Sequence, residues 1–154
     1  MKSVGDKIKA RRGNWKFSGE TAKKFDQHVE RSVPLYKEGH NLICDLSDFF
    51  VKDKSFIYEV GSSTGTLTFK LAEHNKSKKN ASFIGIDIEK TMVIEANKKL
   101  KKNRNKNIKF VHADMLKYKM KKADLIVCYY TVQFTQTSIR QDLINKLYKN
   151  LNWG

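Results

Sequence analysis

The stretch FIYEVGSSTG at residues 56–65 constrains this chain more than any other. It joins a short apolar run, an acid, a turn bracketed by Gly61 and Gly65, and a helical pattern that begins at Thr66. That order reads as a strand feeding a tight loop that opens a helix. Glycine removes the side chain that holds a ligand away, so the loop is expected to bring bare backbone N–H groups against a nucleotide or nucleoside. Glu59 sharpens the reading: two places before the first glycine, it can accept hydrogen bonds from loop groups or from a ligand ammonium.

Apolar periodicity extends the pattern in both directions. A helix is expected over residues 19–31, with Phe25 and Val29 inward, and the Val33-Pro34 pair breaks it. Pro34 then suits the first position of a second helix. Its stripe of Leu35, Leu42, Ile43, Leu46, Phe49 and Phe50 is expected in the core. Strands follow at 55–60, 82–87, 107–112 and 124–129, alternating with helices at 66–74 and 90–102. A capping box, Ser138 with Gln141, is expected to open the last helix, which carries Ile139, Leu143, Leu147 and Leu151. Alternating strands and helices give a parallel α/β sheet with right-handed crossovers, in predicted order 3-2-1-4. The chain divides into a basic arm at 1–14, leading helices at 15–53 and a nucleotide-fold core at 54–154.

Two further acids sit at the same edge of that sheet. Asp87, at the carboxyl end of the second strand, can take both hydroxyls of a ribose, or cap the next helix. Asp114, just past the third strand, can accept from an adenine amino group. His28, His40, His74 and His112 form no recognisable dyad, His112 reads as a packing or capping residue, and no catalytic residue is assigned. Cys44 and Cys128 read as free, buried thiols, with no spacing for a metal.

With 40% hydrophobic and 31% charged residues among 154, the composition is that of one globular domain. No apolar run reaches the roughly 18 residues of a membrane span, and the N-terminus is too charged for a secretory signal, so a cytoplasmic protein is expected. The net charge of +15 gathers in the arm and in the run 98–109. It reads either as contact with RNA or as the solvated face of a lysine-rich chain.

The segments GNWKF at Gly13, FDQHVERSVPLY at Phe25, EVGSSTG at Glu59, GID at Gly85, YYTVQFT at Tyr129 and RQDLINKLYKNLNWG at Arg140 are similar to the carboxy-S-adenosylmethionine synthases, within the Rossmann-like class I S-adenosylmethionine (SAM) methyltransferase fold. The resemblance implies a transferase that makes carboxy-SAM from SAM and prephenate, for a partner enzyme that modifies wobble uridine in tRNA. The ligand is then SAM or carboxy-SAM, with no metal. It implies that Tyr36 closes over the cofactor and that Gly61, Ser62 and Ser63 form the loop against its methionine part. Asp87 with Ile88 borders the ribose, and Asp114 with Met115 the adenine. Tyr129 stands where the family has an asparagine, and its hydroxyl is expected to reach the cofactor differently. The family continues for roughly half this length again, through a fifth strand and an arginine that grips the added carboxylate. A chain ending at Gly154 is therefore expected to be truncated or split, with an open apolar edge at Leu125, Ile126, Val127 and Cys128 that favours association, including a homodimer. The other readings are an ordinary SAM-dependent methyltransferase acting on a small molecule or tRNA, and a non-catalytic, RNA-associated remnant.

Overall fold

Short runs rich in Ile, Val, Phe and Tyr, bounded by polar loops, fix where strands form. The structure is a computed structural model and describes residues 10–11, 14–15, 20–103 and 105–153, with side chains from residue 25 on. Its strands are β1 (Phe56–Val60), β2 (Ser82–Asp87), β3 (Ile108–His112) and β4 (Leu125–Val127). All pair in parallel, in the order β3-β2-β1-β4. This is the order expected from the sequence. Helices α1 (Glu20–Ser32) and α2 (Tyr36–Ser47) lead the sheet, and α3 (Thr66–His74) and α4 (Lys90–Lys102) are its crossovers. After β4 come two 3-10 turns and α5 (Arg140–Lys149). Ala10–Arg11 pairs antiparallel with Asn14–Trp15, while the rest of the expected arm lies outside the described residues. No helix among the described residues is long and apolar enough to cross a membrane.

The strands alternate their side chains between two cores. Ile57, Phe83, Ile108 and Phe110 pack with Leu67 and Leu71 of α3 and Val93 and Ala96 of α4. Tyr58, Val60, Ile84 and Ile86 pack on the other face with Leu143 and Leu147 of α5. Phe110 lies across Gly65 and Gly85, where a Cβ on either glycine would overlap its ring. Gly65, at φ +83, caps α3 in a conformation that L residues rarely adopt.

Helix α2 differs from the sequence expectation. It starts at Tyr36 and not at Pro34, because Leu35 stands at φ +56 and interrupts the helical run. Of its supposed core stripe only Ile43 packs against the core, while the rest faces outward: Leu35 is 72% exposed, Leu42 58% and Phe49 76%, and Leu46 and Phe50 are exposed as well. The buried face is His40, Cys44 and Ser47. Gly39 explains the rotation, since the ring of Tyr129 occupies the space where any Cβ there would fall. Against α3, Cys44 packs with Leu67 and Leu71, and beside them Asn75 Nδ2 donates to Ser47 Oγ at 2.8 Å and Ser47 Oγ to Cys44 O at 2.6 Å, with Asn75 Oδ1 left unpartnered.

The expected capping box is also absent. Helix α5 begins at Arg140 with Ile139 at its cap and no side-chain cap bond, and Gln141 bonds Asn145 at 2.9 Å instead. The preceding 3-10 turn places Ser138 outside the helix it was expected to cap. Cys44 is buried and Cys128 half-buried, both free thiols. Ala123 bridges to Leu151, and beyond that bridge no strand among the described residues pairs with the outer edge of β4.

The rotation of α2 predicts a contrast in thermal or urea unfolding. Leu42→Gln, on the exposed stripe, should change stability by less than about 0.5 kcal/mol, whereas Leu71→Ala, in the core, should cost about 2–5 kcal/mol. Equal losses would return the stripe to the core.

Candidate cofactor-binding site

In an open parallel sheet the loops after the strands leave a crevice at their carboxyl ends, and this chain follows that rule. A cleft of about 720 Å³ opens there, roofed by α1 and the start of α2. Glu59, Asp87 and Asp114 all line it, so the three acids do meet at one place. Tyr36, Gly61, Ser62, Ser63, Ile88, Met115 and Tyr129 line it too. Gly65 does not: it sits below the cleft, packed on Phe110.

The loop departs from expectation in how it uses its N–H groups. Gly61 N and Ser62 N donate to Ile86 O at 2.8 and 3.1 Å, and Gly65 N to Ser62 O at 2.8 Å. Ser63 N donates to Asp87 Oδ2 at 2.7 Å. These four donors are spent inside the protein. These four are therefore not the groups that would meet a ligand in the cleft. What the turn offers the cleft is the Ser62 hydroxyl, a buried polar atom without a protein partner. A buried hydroxyl left unpaired is costly, and a bound polar group relieves the cost.

Each acid is held differently. Glu59 points from β1 toward α3 and accepts a hydrogen bond from Thr68 Oγ1. Burial pushes its carboxyl up to about 8, against the opposing hydrogen bonds of Thr68 and with the repulsion of Asp87 added. At neutral pH it therefore keeps its proton. Asp87 accepts from Ser63 N through Oδ2 and from Glu89 N through Oδ1 at 2.8 Å. Burial raises this group as well, against those bonds. An ionised carboxylate has about four acceptor positions, so one on each oxygen stays open to a hydroxyl pair. Asp114 Oδ1 accepts from Leu116 N at 2.9 Å and is only half-buried. His112 lies outside this group and bonds Ile88 O at 3.0 Å, a capping contact.

Tyr129 turns its ring to the cleft but not its hydroxyl, which donates to Leu35 O and Tyr36 O at 3.4 and 3.3 Å. Its work is to dock α2, with Tyr36 5.7 Å and His40 5.2 Å from its ring centre. Burial among these rings pushes His40 down to about 4.

Several residues that shape the cleft give weaker sequence signals. Asp26 on α1 accepts from Thr64 Oγ1 at 2.6 Å, Thr66 Oγ1 at 3.0 Å and Lys99 Nζ at 2.6 Å. Burial raises Asp26, but these partners outweigh it and hold the group below the usual carboxylate range. An acid between Phe25 and Val29 on the inward side of a helix was the available clue. Thr131 Oγ1 donates to Val60 O at 2.8 Å and fills the space over Gly61, which stands at φ +74. Among the described residues, no cluster of three or more His, Cys, Asp or Glu side chains could hold a metal ion.

Comparison with known proteins places this geometry. A family model described as a methyltransferase domain matches residues 57–154. The chain is 39% identical over 137 residues to a carboxy-S-adenosyl-L-methionine synthase of Nautilia profundicola, covering 89% of this chain and 57% of that protein. It is 37% identical over 141 residues to one of Staphylococcus epidermidis, covering 91% and 60%. The chain thus spans about three-fifths of the length of these curated relatives. A solved candidate SAM-dependent methyltransferase of Methanococcus maripaludis superposes with a TM-score of 0.71 at 23% identity, over 99% of this chain and 64% of that one. The magnesium protoporphyrin IX methyltransferase of Synechocystis, solved with bound SAM, gives 0.64 at 17%, over 88% and 61%. The family match over more than half of the chain, with the parallel sheet it folds into, shows that this chain belongs to the methyltransferase-domain family.

Proposed function

We propose that the cleft binds SAM and that the chain acts as a SAM-dependent transferase of the carboxy-SAM synthase type. The observation that carries this is the gathering of three acids and one unpartnered buried hydroxyl around a glycine turn at the carboxyl edge of the sheet. Such a site suits a cationic nucleoside. The names of the relatives at 39% and 37% identity select the carboxy-SAM synthases within that class.

In this reading Asp87, with Ile88 beside it, holds the ribose hydroxyls, and Asp114 with Met115 takes the adenine. Ser62 and the rest of the turn face the methionine portion. Glu59 lies behind the turn, and giving up its proton on binding would let it pair with the ligand's ammonium. Tyr36 covers the cleft from α2. When bound, the cofactor would supply a sulfonium methyl carbon that exchanges a proton for the ring carboxyl group of prephenate, whose remainder aromatises to phenylpyruvate with loss of hydroxide, the proton and hydroxide leaving as water. The protein's own contribution is to position the two and exclude water. The product then serves tRNA wobble-uridine modification by a partner enzyme, which makes the cytoplasm its place of work.

Calorimetry with S-adenosylhomocysteine tests the site. Asp87→Asn and Asp114→Asn should each weaken binding by about tenfold, the worth of one charge-assisted hydrogen bond. Binding unchanged in both would remove the carboxylates from the site. Mass spectrometry after incubation with SAM and prephenate tests the reaction: a carboxylated product supports it, and unmodified SAM alone refutes the synthase reading.

Glu59 makes a separate prediction about pH. Its folded carboxyl titrates near 8 and its unfolded one in the ordinary range, so between those values the folded chain holds an extra proton. Stability from this group is full at low pH and declines as pH rises toward 8. Glu59→Gln should remove that slope, so its melting temperature relative to the unsubstituted protein rises from pH 5.5 to pH 8. A constant difference across that range would show that Glu59 is ionised throughout.

A further inference from the structure

We propose that the opposite end of the sheet, where the strands begin, docks single-stranded nucleic acid. The proposal is independent of what occupies the cleft. Because all four strands run in parallel, every loop that enters a strand emerges at this one edge. Those loops are lysine-rich in each case. Lys52 and Lys54 precede β1, and Lys76, Lys78 and Lys79 precede β2. Lys101, Lys102 and Lys106 precede β3, and Lys119, Lys121 and Lys122 precede β4.

Backbone bonds stitch the loops into one surface. Lys54 N donates to Lys79 O at 2.8 Å, Phe83 N to Asn107 O at 2.9 Å and Asp124 N to Phe56 O at 3.0 Å. Asp53 and Asp124 in these loops are engaged by the stitching, and Asp48, at the start of the loop entering β1, lies 3.0 Å from His74 Nε2. Asp53 Oδ1 accepts from Lys79 N at 2.8 Å, and Asp124 accepts from Phe56 N at 3.1 Å and Asn152 Nδ2 at 2.8 Å. Among the described residues, Lys76 alone of these lysines forms an ion pair, with Glu73. Strands about 4.8 Å apart make the row roughly 15 Å wide. Such a row of point charges contacts phosphates and does not read bases.

Two aromatic side chains stand in the same surface. Phe49, 76% exposed, and Phe50 lie in the loop entering β1, beside Lys52 and Lys54. Exposed rings among lysines form a stacking platform for unpaired bases. The arrangement also divides the basic run 98–109. Lys98 and Lys99 pair with Glu95 and Asp26, while Lys101, Lys102 and Lys106 are exposed at the edge.

The test is fluorescence anisotropy with a labelled twelve-nucleotide oligouridylate over a salt series. A variant with Lys52, Lys79, Lys106 and Lys119 all changed to Gln should lower the magnitude of the slope of log K against log salt by about 2–3, at roughly 0.7 per phosphate contact. A control with Lys37, Lys70, Lys90 and Lys98 changed to Gln removes the same charge elsewhere and should lower it by less than about one. Phe49→Ala should weaken binding roughly five- to a hundredfold. All variants should bind S-adenosylhomocysteine like the unsubstituted protein, so failure here and failure of the cleft reading are distinguishable. Equal losses in the two lysine sets, no binding in low salt, displacement of the oligonucleotide by S-adenosylhomocysteine, or binding to phosphatidylserine vesicles in its place would each overturn the proposal.

Discussion

The carboxylate of Asp87 holds the binding end of this molecule together. One oxygen fixes Ser63 N at 2.7 Å and the other fixes Glu89 N at 2.8 Å. The first bond keeps Ser63 at φ +51, a left-handed conformation that costs a non-glycine residue of order 1 kcal/mol or more. The second sets the entry to α4. A single side chain at the end of β2 thereby joins the turn after β1 to the crossover after β2. Thr131 closes the arrangement from β4, filling the space that Gly61 leaves open. The strained turn is held from three strands at once, so its shape exists before a ligand arrives.

The sequence was most legible where local chemistry and tertiary environment agree. The bounds of α3 and α4 follow from the glycine turn, the acid at each strand end and the apolar period, and the structure repeats them. The convergence of Glu59, Asp87 and Asp114 was legible because a parallel sheet puts all strand ends on one side. Legibility failed where a distant residue decides. Helix α2 has large apolar side chains around much of its circumference, so periodicity alone cannot choose the buried face. Tyr129, 90 positions on from Gly39, chooses it by packing where a side chain would be. Hydrogen-bond use was equally hidden: glycine spacing announces a tight turn, but not that Ile86 O takes two of its N–H groups.

Charge is sorted along the strand direction, and this matters more than its total. The acids that enter the cleft leave that end poor in free positive charge, because Lys99 and Lys117 lie beside Asp26 and Asp114. At the other end Asp53 and Asp124 are bonded into the loops, and the lysines outnumber the acids. The net +15 is therefore a sum over two unlike ends. A cationic ligand is favoured at one and a polyanion at the other.

The roof of the cleft is built to a different standard from its floor. Ile57, Leu67 and Phe83 beneath the turn are almost fully buried, whereas the tie from α1 is an ion pair whose two side chains are 38% and 39% exposed. Pairs in such surroundings contribute about 0–1 kcal/mol after solvent screening. The hydroxyls of Thr64 and Thr66 add to it without burying it. Releasing α1 from the loop thus costs far less than disturbing the strands that position the acids. The turn can stay rigid while its cover moves, which reconciles a preformed site with a ligand that has to enter it.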